Sequence, residues 1–168
     1  MRRSGKSGWG RLALCGLAMV SIVGGCSPAV SEAPSQTRAV TVHPESGLKV
    51  IPLTVSGKDK PHHFRVELAR SRMEQAKGLM FRTAMGADEG MLFPFDKPRA
   101  AAFWMRNTVI PLDIVFIGAD RRILNIAENA VPYSEDEILS EGEAAAVLEL
   151  NGGRTAQLGI RAGDKVQW

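Results

Sequence analysis

The stretch that decides the fold is Ile110–Ala127, IPLDIVFIGADRRILNIA. Leu112–Ile117 is apolar but for Asp113, the pattern of a strand buried on both faces. Gly118-Ala119-Asp120-Arg121 is turn chemistry, and the apolar run Ile123–Ala127 follows, so the two runs read as a β-hairpin.

Working toward the C-terminus, Ala146–Leu150 (AVLEL) is another strand, ended by Asn151-Gly152-Gly153. A short helix over about Arg154–Leu158 is closed by Gly159, and Gly163-Asp164 turns into a last strand, Lys165–Trp168. Toward the N-terminus, Gly90–Phe95 and Ala101–Met105 are strands flanking a turn at Asp96-Lys97-Pro98-Arg99. Phe64, Val66 and Leu68 alternate with polar or small residues, a half-buried strand. Ser71 with Glu74 three residues later is a capping box. The helix it opens places Met73, Ala76 and Met80 on one face and stops near Gly78. Leu48–Val55 is a candidate first strand weakened by Pro52. Many short strands and two short helices predict an α+β, mostly β domain, a small bent sheet or barrel-like body spanning 62–168.

The chain ahead of that domain reads as a targeting segment. Met1–Arg11 carries Arg2, Arg3, Lys6 and Arg11 and no acid. Leu12–Val23 is almost wholly apolar, too short for the roughly 20 residues of a membrane-spanning helix. Gly24 and Gly25 lead into Cys26, so residues 1–25 are a secretory signal. Val23-Gly24-Gly25-Cys26 resembles the bacterial lipobox, which implies acylation of Cys26 and attachment to a lipid bilayer. Ser27 to about Gly47 is rich in Ser, Pro, Ala and Thr and reads as a tether, with residues 26–61 joining the anchor to the domain. About 20 such residues reach on the order of 25 Å.

Removing the leader changes what charge and cysteine content mean. The chain is net +3, four of its basic groups lie in residues 1–25, and the remainder is therefore −1. A basic surface for nucleic acid is not implied. Of the two cysteines, Cys15 leaves with the leader and Cys26 is consumed by lipid. The domain has no disulfide and no thiol nucleophile.

From Phe64 onward there is no histidine either, since His43, His62 and His63 all come earlier. A Ser-His-Asp triad, an HExxH metalloprotease and a Cys/His zinc site are excluded from the core. GxGxxG and P-loop patterns are missing, and no cofactor is expected.

Three groups of residues carry what chemistry remains. First, Phe103–Thr108 (FWMRNT) runs into Ile110-Pro111-Leu112-Asp113, an apolar strand giving way to a polar loop. Asp113 is placed to pair with Arg106 or Arg82. The loop is read either as a buried polar staple or as a cleft in which Trp104, Arg106, Asn107, Asp113 and Arg82 receive a polar ligand. Second, methionines fall densely between 73 and 105. Met73, Met80 and Met105 suit core packing, and a thioether site for Cu(I) is the alternative. Third, Glu67, Asp113 and Glu149 lie in or beside strands. Two of them facing each other would serve acid–base work on a glycosidic bond.

The motifs GLMFR (78–82), GMLF (90–93), FWMRNT (103–108), IPLDIVFI (110–117), VLEL (147–150) and GIRAGDKV (159–166) together resemble the family catalogued as domain of unknown function 192. That resemblance implies a small, largely β domain, often exported or lipid-anchored, and brings no activity or cofactor with it. The expectation is a membrane-anchored envelope lipoprotein whose domain binds a polar ligand or a protein. A carboxylate-based hydrolase of envelope glycan and a copper-binding protein are the rivals.

Overall fold

The computed structural model describes residues 41–57 and 60–168. The predicted leader, Cys26 and most of the tether lie outside these described residues. The strands are β1 (Val50–Ser56), β2 (Pro61–Leu68), β3 (Glu89–Phe103), β4 (Leu112–Gly118), β5 (Ile123–Ala130), β6 (Ile138–Asn151) and β7 (Lys165–Gln167). Two helices, α1 (Arg72–Lys77) and α2 (Arg154–Leu158), interrupt them. All seven strands join one sheet in the order β5-β4-β6-β3-β2-β1-β7. The sheet curls until its ends touch: Arg122 bridges Lys165, and the Val166 N–H donates to Arg121 O at 2.8 Å. The expected mostly β domain with a bent sheet and two short helices is what forms.

Alternation sorts the side chains into two layers. Leu53, Val55, Phe64, Val66, Leu92, Val115, Leu148, Leu150 and Val166 pack on the inner face. Met91, Phe93, Leu112, Ile114, Phe116 and Val147 pack on the other. The second layer needs a cover, and topology supplies it. β2 and β3 are parallel, and parallel neighbours require a crossover. The intervening residues 69–88 carry α1 and place the buried Leu79 in the second layer.

Several expectations are corrected. Residues 96–99 do not break the strand: β6 pairs with β3 at Pro94 and again at Arg99, across a register shift. The turn-forming composition is absorbed as a bulge in a strand that β6 pairs before and after it. The candidate first strand over Leu48–Val55, by contrast, forms as β1. β1 is hydrogen-bonded to β2 and β7, and Leu53 and Val55 are in the core. Pro52 is tolerated because β7 pairs only with residues 54–56, so that among the described residues no strand pairs with it on that side of β1. The capping box at Ser71 and Glu74 forms as expected, but α1 buries no residue and Met73 is 81% exposed.

Candidate functional site

The crossover does not seal the second layer. Between residues 75–80, β3, the loop after it and β6 lies a cavity of about 310 Å³. The apolar part of its wall is Leu79, Met80, Phe93, Phe95, Phe103 and Trp104. Phe103 stands edge-on to Phe93 at 5.3 Å and to Phe116 at 6.2 Å, which fixes its ring. Lys77, Arg99 and Arg106 line the cavity as well, and all three are exposed. Arg99 stacks 4.0 Å above the Phe95 ring, and Arg106 lies 5.9 Å from that of Trp104.

At the floor lies Glu149. Its strand neighbours on the same face are Met91 of β3 and Ile114 of β4, both fully buried apolar side chains. The residue is 6% exposed, and its Oε2 has no hydrogen-bond partner among the described residues. Burial penalises the charged form and pushes the Glu149 carboxyl up to about 8. At neutral pH it is a carboxylic acid able to donate as well as accept. An unsatisfied polar atom of this kind costs roughly 1–3 kcal/mol, and it lines the cavity.

The loops around the cavity are held in unfavourable backbone geometry. Phe81, Asn107 and Tyr133 all adopt positive φ, at 64°, 56° and 62°. They are stitched together: the Phe81 N–H donates to Asn107 O at 2.8 Å and the Tyr133 N–H to Thr108 O at 3.2 Å. The Met105 N–H donates to Ser134 O at 2.9 Å. Left-handed geometry at an aromatic residue costs on the order of 1–2 kcal/mol, and such strain collects at functional sites.

The anticipated site residues fall in different places. Trp104 and Arg106 line this cavity, whereas Asn107 supports it through the backbone and through a 3.8 Å contact of Nδ2 with Met80 Sδ. Asp113 does not join them, and it pairs with neither Arg106 nor Arg82. Alternation along β4 turns it to the face of Val115 and Ile117, opposite Glu149. There it accepts from Asn129 N, Gly153 N, Thr155 N and Thr155 Oγ1 at 2.7–2.9 Å. Gly153 has no side chain to cap α2, and Asp113 does so from the sheet. Arg82 is likewise structural. It is buried and bidentate to Glu67 at 2.8 and 3.2 Å, with Glu45 3.2 Å from its Nε. Burial alone would lower the Arg82 guanidinium, but the hydrogen bonds and charge of Glu67 outweigh it and the net shift is upward.

Glu67 also accepts from Ser46 and lies 3.6 Å from His43 Nδ1. It shares a face with Glu149, but Met91 stands between them in the register, and two strand spacings are about 10 Å. Of Glu67, Asp113 and Glu149, only Glu149 lines the cavity, so the opposed carboxyl pair of a glycosidase is not assembled there. Of the methionines, Met73 and Met80 line a second cavity beside α1 with Arg82, whereas Met105 lies apart in the core. Among the described residues, no three His, Cys, Asp or Glu side chains group as metal ligands. Sequence reasoning passed over Lys77, Arg99, Phe93 and Phe95, which periodicity could not assign to a common cavity.

Comparison with known proteins places this architecture. A crystal structure of a protein of unknown function from Novosphingobium aromaticivorans is 56% identical, with a TM-score of 0.76 over 86% of this chain and all of that one. A Sinorhizobium meliloti protein provisionally named a transcription regulator is 40% identical, with a TM-score of 0.70 over 71% of this chain and 94% of its own. Among proteins of curated function, none matches. The family model described as Uncharacterized ACR, DUF192, matches residues 53–168, from β1 to the C-terminus. The chain belongs to the DUF192 family.

Proposed function

We propose that this protein is a non-enzymatic binding module, carried outside the cytoplasm on an acylated Cys26, that takes a small polar ligand in the cavity above Glu149. One observation carries the reading: a carboxyl 94% buried, with an oxygen unpartnered among the described residues, at the floor of an open aromatic-lined cavity. A purely structural position would be filled by a hydrocarbon at lower cost. The strained, mutually bonded loops at Phe81, Asn107 and Tyr133 support the same reading, because folding energy is spent to hold the cavity wall in place. The anchor rests on the leader sequence alone.

The test uses the full-length chain, isotope-labelled and titrated with small aromatic acids, aromatic amines and sugar acids. At least one class will shift the Trp104 indole N–H and the Phe103 and Leu79 signals saturably. Trp104→Ala with Arg106→Ala will abolish that response and leave the thermal midpoint within a few degrees, since both side chains are exposed. Absence of any saturable shift at millimolar probe overturns the reading, and so does a double variant that is less stable yet binds the probe unchanged.

A further inference from the structure

We infer that the cavity is built for an anion carried on a flat apolar body with one hydrogen-bonding group at its far end, the chemistry of a hydroxyaryl carboxylate. The inference rests on the binding-site reading above and narrows it to a ligand class. Four properties of the lining converge.

The first is charge. Lys77, Arg99 and Arg106 line the cavity, and Glu149 is its single acid. Exposed Glu135 lies 3.6 Å from Arg106, a surface pair of little strength that an incoming carboxylate displaces readily. Arg99 and Arg106 each lie near an aromatic ring, and a guanidinium offers a carboxylate two parallel donors.

The second is how few of the lining polar side chains are deep: Lys77, Arg99 and Arg106 are exposed. The Gln75 side-chain N–H groups are taken up by Ala69 O at 3.2 Å and Pro94 O at 2.9 Å. The Thr108 hydroxyl is directed to Arg106 O at 3.4 Å. Glu149 is left as the deep hydrogen-bonding group. A sugar brings several hydroxyls, and each one buried without a partner weakens binding, so the wall discriminates against saccharides. One hydroxyl is what it can satisfy: the carboxylic acid of Glu149 both donates to a phenolic oxygen and accepts from its proton.

The third is shape. The wall between the floor and the cations is Leu79, Met80, Phe93, Phe103 and Trp104, surfaces against which a ring packs edge-to-face or offset. The fourth is size. An apolar cavity of about 150 Å³ holds one benzene, and this one measures about 310 Å³, enough for a ring with a substituent at each end.

The experiment ranks four probes by calorimetry and chemical-shift mapping on the full-length protein: 4-hydroxybenzoate, benzoate, tyramine and glucuronate. The expected order is 4-hydroxybenzoate first, benzoate about tenfold weaker for want of one charge-free hydrogen bond, and tyramine and glucuronate weaker still. Arg99→Ala with Arg106→Ala should weaken both benzoates at least tenfold. Glu149→Met should equalise them, and Glu149→Gln, which keeps a donor and an acceptor, should preserve their order. Tighter binding of tyramine than of the acids overturns the ligand class and leaves the site reading intact, as does tighter binding of glucuronate. If no probe moves a cavity signal, both fall together.

Discussion

Glu149 occupies a position where its sequence neighbours, Leu148 and Leu150, are fully buried, and that setting makes stability depend on pH. Its carboxyl is raised from 4.5 to about 8 by burial. Between those values the folded state holds a proton that the unfolded state has lost, so unfolding releases it and stability falls as pH rises. One proton corresponds to about 1.4 kcal/mol per pH unit within the window. The loss starts near pH 4.5 and levels off above about 8. Glu149→Gln should flatten this segment of the stability–pH curve and make the variant more stable than wild type at pH 8. Urea midpoints from pH 4 to pH 9 measure it, and parallel curves for the two proteins would show the carboxyl to be hydrated and ionised. The acid inside VLEL was visible in the sequence. Which face it served was not, because alternation within one strand gives two faces without saying what covers each. The same limit applied to Asp113 and Arg82, both anticipated in a cleft and both found tying elements together.

Individual elements were the most legible. The β4–β5 hairpin, the capping box of α1 and the Gly159 stop of α2 all follow from local chemistry, and local chemistry is what a sequence records. The strand through 96–99 failed on the same ground. Asp96-Lys97-Pro98-Arg99 has turn composition, but β6, forty residues later, pairs on both sides of it, and long-range pairing overrides local preference. Asp113 shows how such a long-range tie is built. Its carboxylate serves three backbone N–H groups and one hydroxyl, from the end of β5, the turn after β6 and the first turn of α2. It is fully buried. Asp113→Ala would strand those donors, at roughly 1 kcal/mol or more for each. The expected loss is about 3–5 kcal/mol in denaturant unfolding, with amide exchange fastest over residues 153–159. Thr155→Val, which removes only the hydroxyl, should cost about 1 kcal/mol. A loss below 1 kcal/mol for Asp113→Ala would mean that water replaces the carboxylate and α2 needs no cap from the sheet.

At the scale of the whole molecule, composition announced a small β-rich body, and the half-closed sheet with its two short helices answers to that. The cavity did not announce itself, because its wall is gathered from α1, the crossover, β3, the loop after it and β6. Neither periodicity nor spacing encodes which of these meet. The proposed attachment to a membrane is a separate question of energy and rests on residues 1–47 of the sequence. Without its leader the chain is net −1, so attraction to an anionic lipid surface is not available to hold it. Acyl chains are a different force: at about 0.8 kcal/mol per buried CH₂, more than one chain gives a stable anchor that ionic strength does not weaken. The two forces separate under a salt wash. Wild-type protein should stay in the membrane fraction at 1 M salt and begin at a lipid-modified Cys26. Cys26→Ser should remove the lipid and leave the domain off the membrane with the cavity's ligand ranking unchanged. Release of the wild type by salt would replace the acyl anchor with a peripheral contact. Protein recovered from the cytosol with Met1–Gly25 still attached would remove the exported reading altogether.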